Sequence, residues 1–324
     1  AHRAAALQQA RAGLIEPAAA SMQQILSMGG EAHFDFLAAA AGQSDRETRS
    51  NLLTTLEQLQ QSYPQNTQLT FARALILHEQ APQQALAILQ QQPSEQQEAG
   101  ALLLQANLLE QLEQRPSAID LLQDSLQQHP DASRLRLQLA RLLLSNNELD
   151  AAASQFTRLL EQNPDDHDLT LTLGLISLEN QQLELAIEYL EQALALQPDN
   201  STTLYHLGQA FNARGQTDEA LQAWLAVPAS DDYLPARLRI IQTLVEQQRT
   251  ELLTQIMAES HSQQPQLRRQ LYLLEIETLL SADPEQGLMR NNQALDEFPD
   301  DASLLYMRAL IYATLGRAKD SEAD

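Results

Sequence analysis

Leucine and alanine return along this chain at fixed intervals, with glutamine and acidic residues filling the positions between them. From Ser201 the pattern reads Leu204, Leu207, Gly208, Phe211, Gly215, Ala220 and Trp224. From His167 it reads Leu173, Gly174, Ala186, Leu190, Ala193 and Pro198, and the preceding segment gives Leu139, Ala140, Leu143, Ala152, Phe156, Leu159 and Pro164. Apolar positions three and four apart share one face of a helix, so each segment predicts a pair of helices broken by one turn. Prolines mark the joints between pairs: Pro130, Pro164 and Pro198 stand 34 residues apart, as do Pro265 and Pro299.

Each recurring residue type has a physical role. Small side chains (Ala85, Ala118, Ala152, Ala186, Ala220 and Gly287) let two helices approach, and the large ones fill the gaps that remain. Glycine suits the turn between helices because it accepts a left-handed backbone. Proline followed by Asp or Asn, as in Pro164-Asp165-Asp166, Pro198-Asp199-Asn200 and Pro299-Asp300-Asp301, ends one helix and caps the next. A single helical hairpin cannot hide its apolar face, so hairpins must stack. The frame predicts repeats starting near His33, Asn66, Ala99, Ser133, His167, Ser201, Leu234 and Arg268, with a partial repeat over 1–32 and another over 302–324. A single array over 1–324 is therefore expected. Leu52, Leu253 and Asn291 fit the frame poorly.

This period and pattern resemble those of tetratricopeptide (TPR) repeat proteins, over essentially the whole chain. The resemblance implies an all-α fold, a TPR α-solenoid in which antiparallel helix pairs form a superhelix. It also implies a binding platform for a protein or peptide rather than an enzyme, because the family serves mainly in that way.

Composition narrows the function. The chain has 324 residues with 20 Lys and Arg against 43 Asp and Glu, a formal net charge of -23. Nucleic-acid binding rests on neutralising phosphates with cations, so such a surface disfavours it. The absence of Cys removes disulfides, thiolate metal sites and thiol nucleophiles. No apolar run is long enough to span a bilayer. None of the phosphate-binding, nucleophile-elbow or paired-histidine zinc motifs occurs, so no catalytic residue, metal site or cofactor is expected. Asp165-Asp166-His167-Asp168 falls at a joint between repeats, where a helix cap explains it better than a cation site.

In TPR proteins the first helix of each repeat lines the inner face. Transferring that frame gives the expected groove residues Leu103, Asn107, Arg134, Leu137, Arg141, Leu171, Leu175, Tyr205, Gln209, Leu238, Arg269, Tyr272 and Tyr306. The same frame adds Thr70, Ala74, Ile276 and Leu310. Tyrosine offers contact area with a polar tip, and arginine forks onto carboxylates or backbone carbonyls. A subclass that clamps chaperone carboxylates with Lys and Asn is a poor match. The nearest trial here gives Leu103, Asn107, Gln138, Asp168 and Thr172, with no Lys and an aspartate of the wrong sign.

The segment 296–310, with Leu304-Leu305-Tyr306-Met307-Arg308-Ala309, is similar to repeats of large TPR lipoproteins from the pseudomonad envelope. One such family is an outer-membrane-anchored adaptor for a periplasmic carboxyl-terminal processing protease. That resemblance implies a protein partner, with the protease and its substrates as candidates, and periplasmic placement through a lipidated Cys upstream of this sequence. The chain opens and stops in helical pattern, so both ends are expected to be interior to a longer protein. Other readings are an assembly factor for a pilus, secretion or cytochrome-maturation complex, the regulatory arm of an enzyme, and, disfavoured by the charge, a transcription regulator.

Overall fold

The computed structural model describes residues 2–26, 45–64, 66–93 and 97–317. The repeat start near His33 and the last residues, 318–324, of the partial repeat over 302–324 lie outside the described residues. Among those residues the fold is all-α, with eighteen α-helices and no strand. Two compact units divide the chain, 1–162 and 163–324.

The first unit holds α1 (His2–Arg11), α2 (Ile15–Leu26), α3 (Arg46–Ser62), α4 (Thr67–Leu77), α5 (Pro82–Leu89), α6 (Ala99–Gln111), α7 (Arg115–Gln128), α8 (Ser133–Ser145) and α9 (Leu149–Gln162). The second holds α10 (His167–Glu179), α11 (Leu183–Leu196), α12 (Ser201–Ala213), α13 (Thr217–Ala226), α14 (Tyr233–Glu246), α15 (Thr250–Gln263), α16 (Arg268–Ala282), α17 (Pro284–Glu297) and α18 (Ala302–Thr314). Within each unit, consecutive helices pack against one another.

Side-chain oxygens before the helices explain several starts. Asn66, Asp166, Asn200 and Asp301 accept the backbone N–H of Leu69, Leu169, Thr203 and Leu304, satisfying donors the helix itself cannot. Asp166 is therefore the cap that its place between two repeats predicts.

The turns inside the hairpins repeat one geometry. Glu113, Asn147, Gln181, Gly215 and Gln248 all have positive φ, between 57° and 81°. The residue after each returns its N–H to a carbonyl five positions back, as Gln182 to Ser177 and Gln216 to Phe211, both at 2.8 Å. This is the six-to-one closure of a helix C-terminus. Glycine, expected at such a turn, holds it at Gly13, Gly215 and Gly316, whereas Glu113, Asn147, Gln181 and Gln248 adopt the same left-handed backbone.

The helix contacts are dry. Ala140, Ala152, Leu173, Ala186, Leu190, Leu207 and Ala220 are buried. A Cβ added to Gly174 would stand 2.8 Å from Leu190 Cγ, so those helices touch through the missing side chain. Leu52 and Leu253, weak matches in the sequence, are buried as well. Asn291 is fully buried and donates Nδ2–H to the Leu304 carbonyl at 3.0 Å.

Three charged residues sit where the period asks for an apolar or small one. Arg136 and Arg237 occupy the fourth position of their repeats, which Leu102, Leu204 and Leu271 fill elsewhere, and both are buried. Arg237 donates to Ser260 Oγ at 3.1 Å and to the Trp224 carbonyl at 2.9 Å, at the C-terminal end of α13 where carbonyls lack helical partners. The ring of Tyr233 lies 4.3 Å from its guanidinium carbon. Glu275 takes the place of Gly174 and Gly208. It has no exposed surface, accepts from His261 Nε2 at 2.8 Å and faces Arg290 Nε at 3.0 Å.

Candidate functional site

The first helix of each repeat carries the expected groove residues, and none of the thirteen is buried. In the first unit, Leu103 and Leu137 are half-buried on α6 and α8, while Asn107, Arg134 and Arg141 are exposed. Gln138 on α8 donates to Glu110 Oε2 on α6 at 2.9 Å, so the first helices of neighbouring repeats lie side by side.

In the second unit, Leu171 and Leu175 on α10, Tyr205 and Gln209 on α12, Leu238 on α14, and Arg269 and Tyr272 on α16 are half-buried. Tyr306 on α18 is 68% exposed. An apolar half-buried side chain at intervals along one helix face gives contact area that a partner can cover without the site collapsing beforehand. No helix of the described residues is long and apolar enough to cross a membrane.

Polar groups on these helices are partly committed within the chain. Gln209 Oε1 lies 2.8 Å from His206 Nδ1, and burial of that imidazole pushes its pKa down from the ordinary histidine value. Tyr272 lies against the ring of His261, centroids 4.2 Å apart, and burial pushes its hydroxyl pKa up. Arg269 is held by Asp301 through both carboxylate oxygens and by Ser303 Oγ at 3.2 Å. The sequence offers Arg269 as a fork for a partner's carboxylate; in the structure it is tied to the cap of the next repeat.

Thr70, Ala74 and Ile276 from the same groove frame are buried and belong to the interior. The reason at the first two is register. Asn66 caps α4 as Asp166 caps α10, so the helix begins at Thr67, and Thr70 and Ala74 fall where Thr170 and Gly174 fall. Arg136 and Arg237 are functional to the fold and escape a reading of apolar periodicity. The signal available was a charged residue at a fourth position held elsewhere by leucine or threonine, as at Leu102, Thr170, Leu204 and Leu271.

At the C-terminal end of the described chain, α16 and α18 bound an open cleft of ≈ 460 Å³ lined by Leu273, Glu277, Ala302, Ser303, Tyr306 and Met307. Leu310, one turn beyond Tyr306, is 37% exposed and extends the apolar strip.

Comparison with known proteins fits the repeat reading. Two tetratricopeptide-repeat family models match residues 109–173 and 171–233. The TPR repeat-containing protein PA4667 of Pseudomonas aeruginosa is 42% identical over 313 residues, covering 96% of this chain and 53% of its own length. This chain thus spans about half of that relative. Among solved structures, MamA AMB-1 is similar at 19% identity, TM-score 0.43, over 52% of this chain and 96% of its own. YrrB, described as a TPR protein with an unusual peptide-binding site, is similar at 16% identity, TM-score 0.47, over 53% of this chain and 89% of its own.

Proposed function

Because this chain is a tetratricopeptide-repeat protein, we propose that it is a non-enzymatic scaffold that holds a protein or peptide partner against the first helices of its repeats. One observation carries the reading: the thirteen positions on that face stay partly or fully open while the positions between the helices are dry. The repeat frame runs through both units in sequence, so repeats starting near 33, 66, 99, 133, 167, 201, 234 and 268 are taken as one array.

The finer reading is an adaptor in the bacterial envelope that brings substrates to a periplasmic carboxyl-terminal processing protease. It rests on the likeness of segment 296–310 to pseudomonad envelope lipoproteins. An assembly factor for an envelope complex uses the same binding physics with a different client.

Site-specific photo-crosslinking in cells tests the scaffold. A photoreactive residue at Leu137, Tyr205 or Tyr272 captures a discrete protein partner. The same residue at Leu185 on α11 or Met289 on α17, both exposed on second helices, does not. Capture from Leu185 and Met289 alone overturns the reading.

A further inference from the structure

The cleft between α16 and α18 carries a charge pattern opposite to the one the sequence offers for this face. Its floor is aliphatic and aromatic, from Leu273, Tyr306 and Met307. Its margin holds one guanidinium and two carboxylates. Arg269 and Asp301 neutralise each other, and Ser303 Oγ is taken up by the same guanidinium. Glu277 remains, exposed on α16, with no ion pair or hydrogen bond to another described side chain.

The wider field has the same sign. Residues 163–324 hold 26 Asp and Glu against 10 Lys and Arg, so most of the chain's acid excess lies in this unit. A partner's carboxylate meets a guanidinium already occupied and a field that repels it. A cation meets a carboxylate that no described side chain pairs with, beside an apolar floor that lowers the local dielectric once a partner covers it.

We propose that this cleft takes a cationic amphipathic segment of a protein partner, with an aliphatic side chain seated between Leu273, Tyr306 and Met307 and a Lys or Arg paired with Glu277. The proposal rests on the scaffold reading and names the chemistry of the occupant at one place on it. Tyr306 closes one side of the seat, and its 68% exposure falls when the aliphatic anchor enters. Leu310 continues the strip for a second apolar contact one helical turn along.

Fluorescence anisotropy with the 324-residue chain and three labelled synthetic peptides of equal length tests the assignment. One peptide has Leu and Lys on one helical face, one has Ser in place of each Leu, and one has Glu in place of each Lys. The Leu/Lys peptide binds about tenfold more tightly than the Ser/Lys peptide, the loss of one buried aliphatic anchor being worth that factor, and more tightly than the Leu/Glu peptide, whose carboxylates meet Glu277. Tyr306→Ala, a change at an exposed position that leaves the helical circular dichroism intact, removes the advantage over the Leu-free peptide. Glu277→Lys inverts the preference so that the Leu/Glu peptide binds better.

Equal binding of the Leu/Lys and Ser/Lys peptides shows attraction to the acidic surface alone and overturns the proposal. So does a Leu/Lys affinity that neither variant changes. Concentration-dependent self-association in sedimentation that Tyr306→Ala abolishes assigns the cleft to a second copy and also overturns it. Failure here with photo-crosslinking retained at Leu137 and Tyr205 removes this occupant and leaves the scaffold standing; loss of both removes the scaffold.

Discussion

Trp224 on α13 reaches across its hairpin and donates Nε1–H to the Tyr205 carbonyl on α12 at 3.0 Å, and it does so through the space that Gly208 leaves empty. A Cβ at Gly208 would stand 2.3 Å from that nitrogen, closer than any relaxed contact. Gly208→Ala therefore displaces the indole, breaks the hydrogen bond and lowers stability by about 1–3 kcal/mol, the usual range for overpacking a tight core. Urea unfolding followed by Trp224 fluorescence, the chain's only tryptophan, reads the loss. An unchanged midpoint sinks the close-approach argument.

The left-handed turns make a prediction of opposite sign. Gln181 sits at φ 58°, where a side chain crowds its own backbone and glycine does not. Gln181→Gly raises stability by about 0.5–1 kcal/mol, even though glycine elsewhere in a helical protein costs that much. Gly215→Ala, at φ 81°, moves the midpoint the other way by a similar amount. Paired denaturation curves for the two variants check both signs.

The buried carboxylate of Glu275 depends on its partners. Removing it in Glu275→Ala strands Arg290 and leaves His261 Nε2 without its acceptor, at a cost of about 3–5 kcal/mol. Arg290→Met introduced alongside recovers much of that loss, because the uncompensated charge goes with it. Additive losses in the double-mutant cycle show that the pair is uncoupled.

Acid titration carries a signature of the Arg269–Asp301 link. The guanidinium of Arg269 first, and the backbone N–H groups of Leu304 and Ser303 besides, hold the Asp301 carboxyl below its ordinary 3.8. A folded pKa below the unfolded one contributes stability that is present above the ordinary value and lost as pH falls through the lower folded one. Asp301→Asn is less stable than the parent at neutral pH, and the gap narrows only as pH falls below the ordinary 3.8 and through the lower folded value, where the parent carboxyl itself takes up a proton. Thermal melts of both proteins across that range measure the gap, and a constant separation contradicts the assignment.

Helix starts were legible in the sequence because caps are local: Asp166, Asn200 and Asp301 sit beside the helices they begin, and the hydrogen bond spans three residues. The dry positions were legible for the same reason, since Leu173, Ala186 and Leu190 recur with the helix period. Three things were not. A frame one residue off at α4 turns side chains by about 100°, and so Thr70 and Ala74 read as surface when they are core. The burial of Arg136 and Arg237 leaves no mark in the apolar pattern, and the carbonyls of Pro130 and Trp224 that accept from them belong to the preceding repeat. Arg269 read as free because Asp301 is 32 residues away. Burial follows periodicity; hydrogen-bond commitments between repeats do not.

Those commitments run both ways along the chain. Ser201 and Thr202 donate forward to Asp232 and Arg269 to Asp301, whereas Gln138 donates back to Glu110, Arg136 to the Pro130 carbonyl and Arg237 to the Trp224 carbonyl. A hairpin lifted from one place in such a chain thus carries donors and acceptors matched to its own two neighbours. Duplicating, deleting or reordering hairpins preserves the joints only when these complementary edges still meet, so engineered shuffles must match edges as well as interiors.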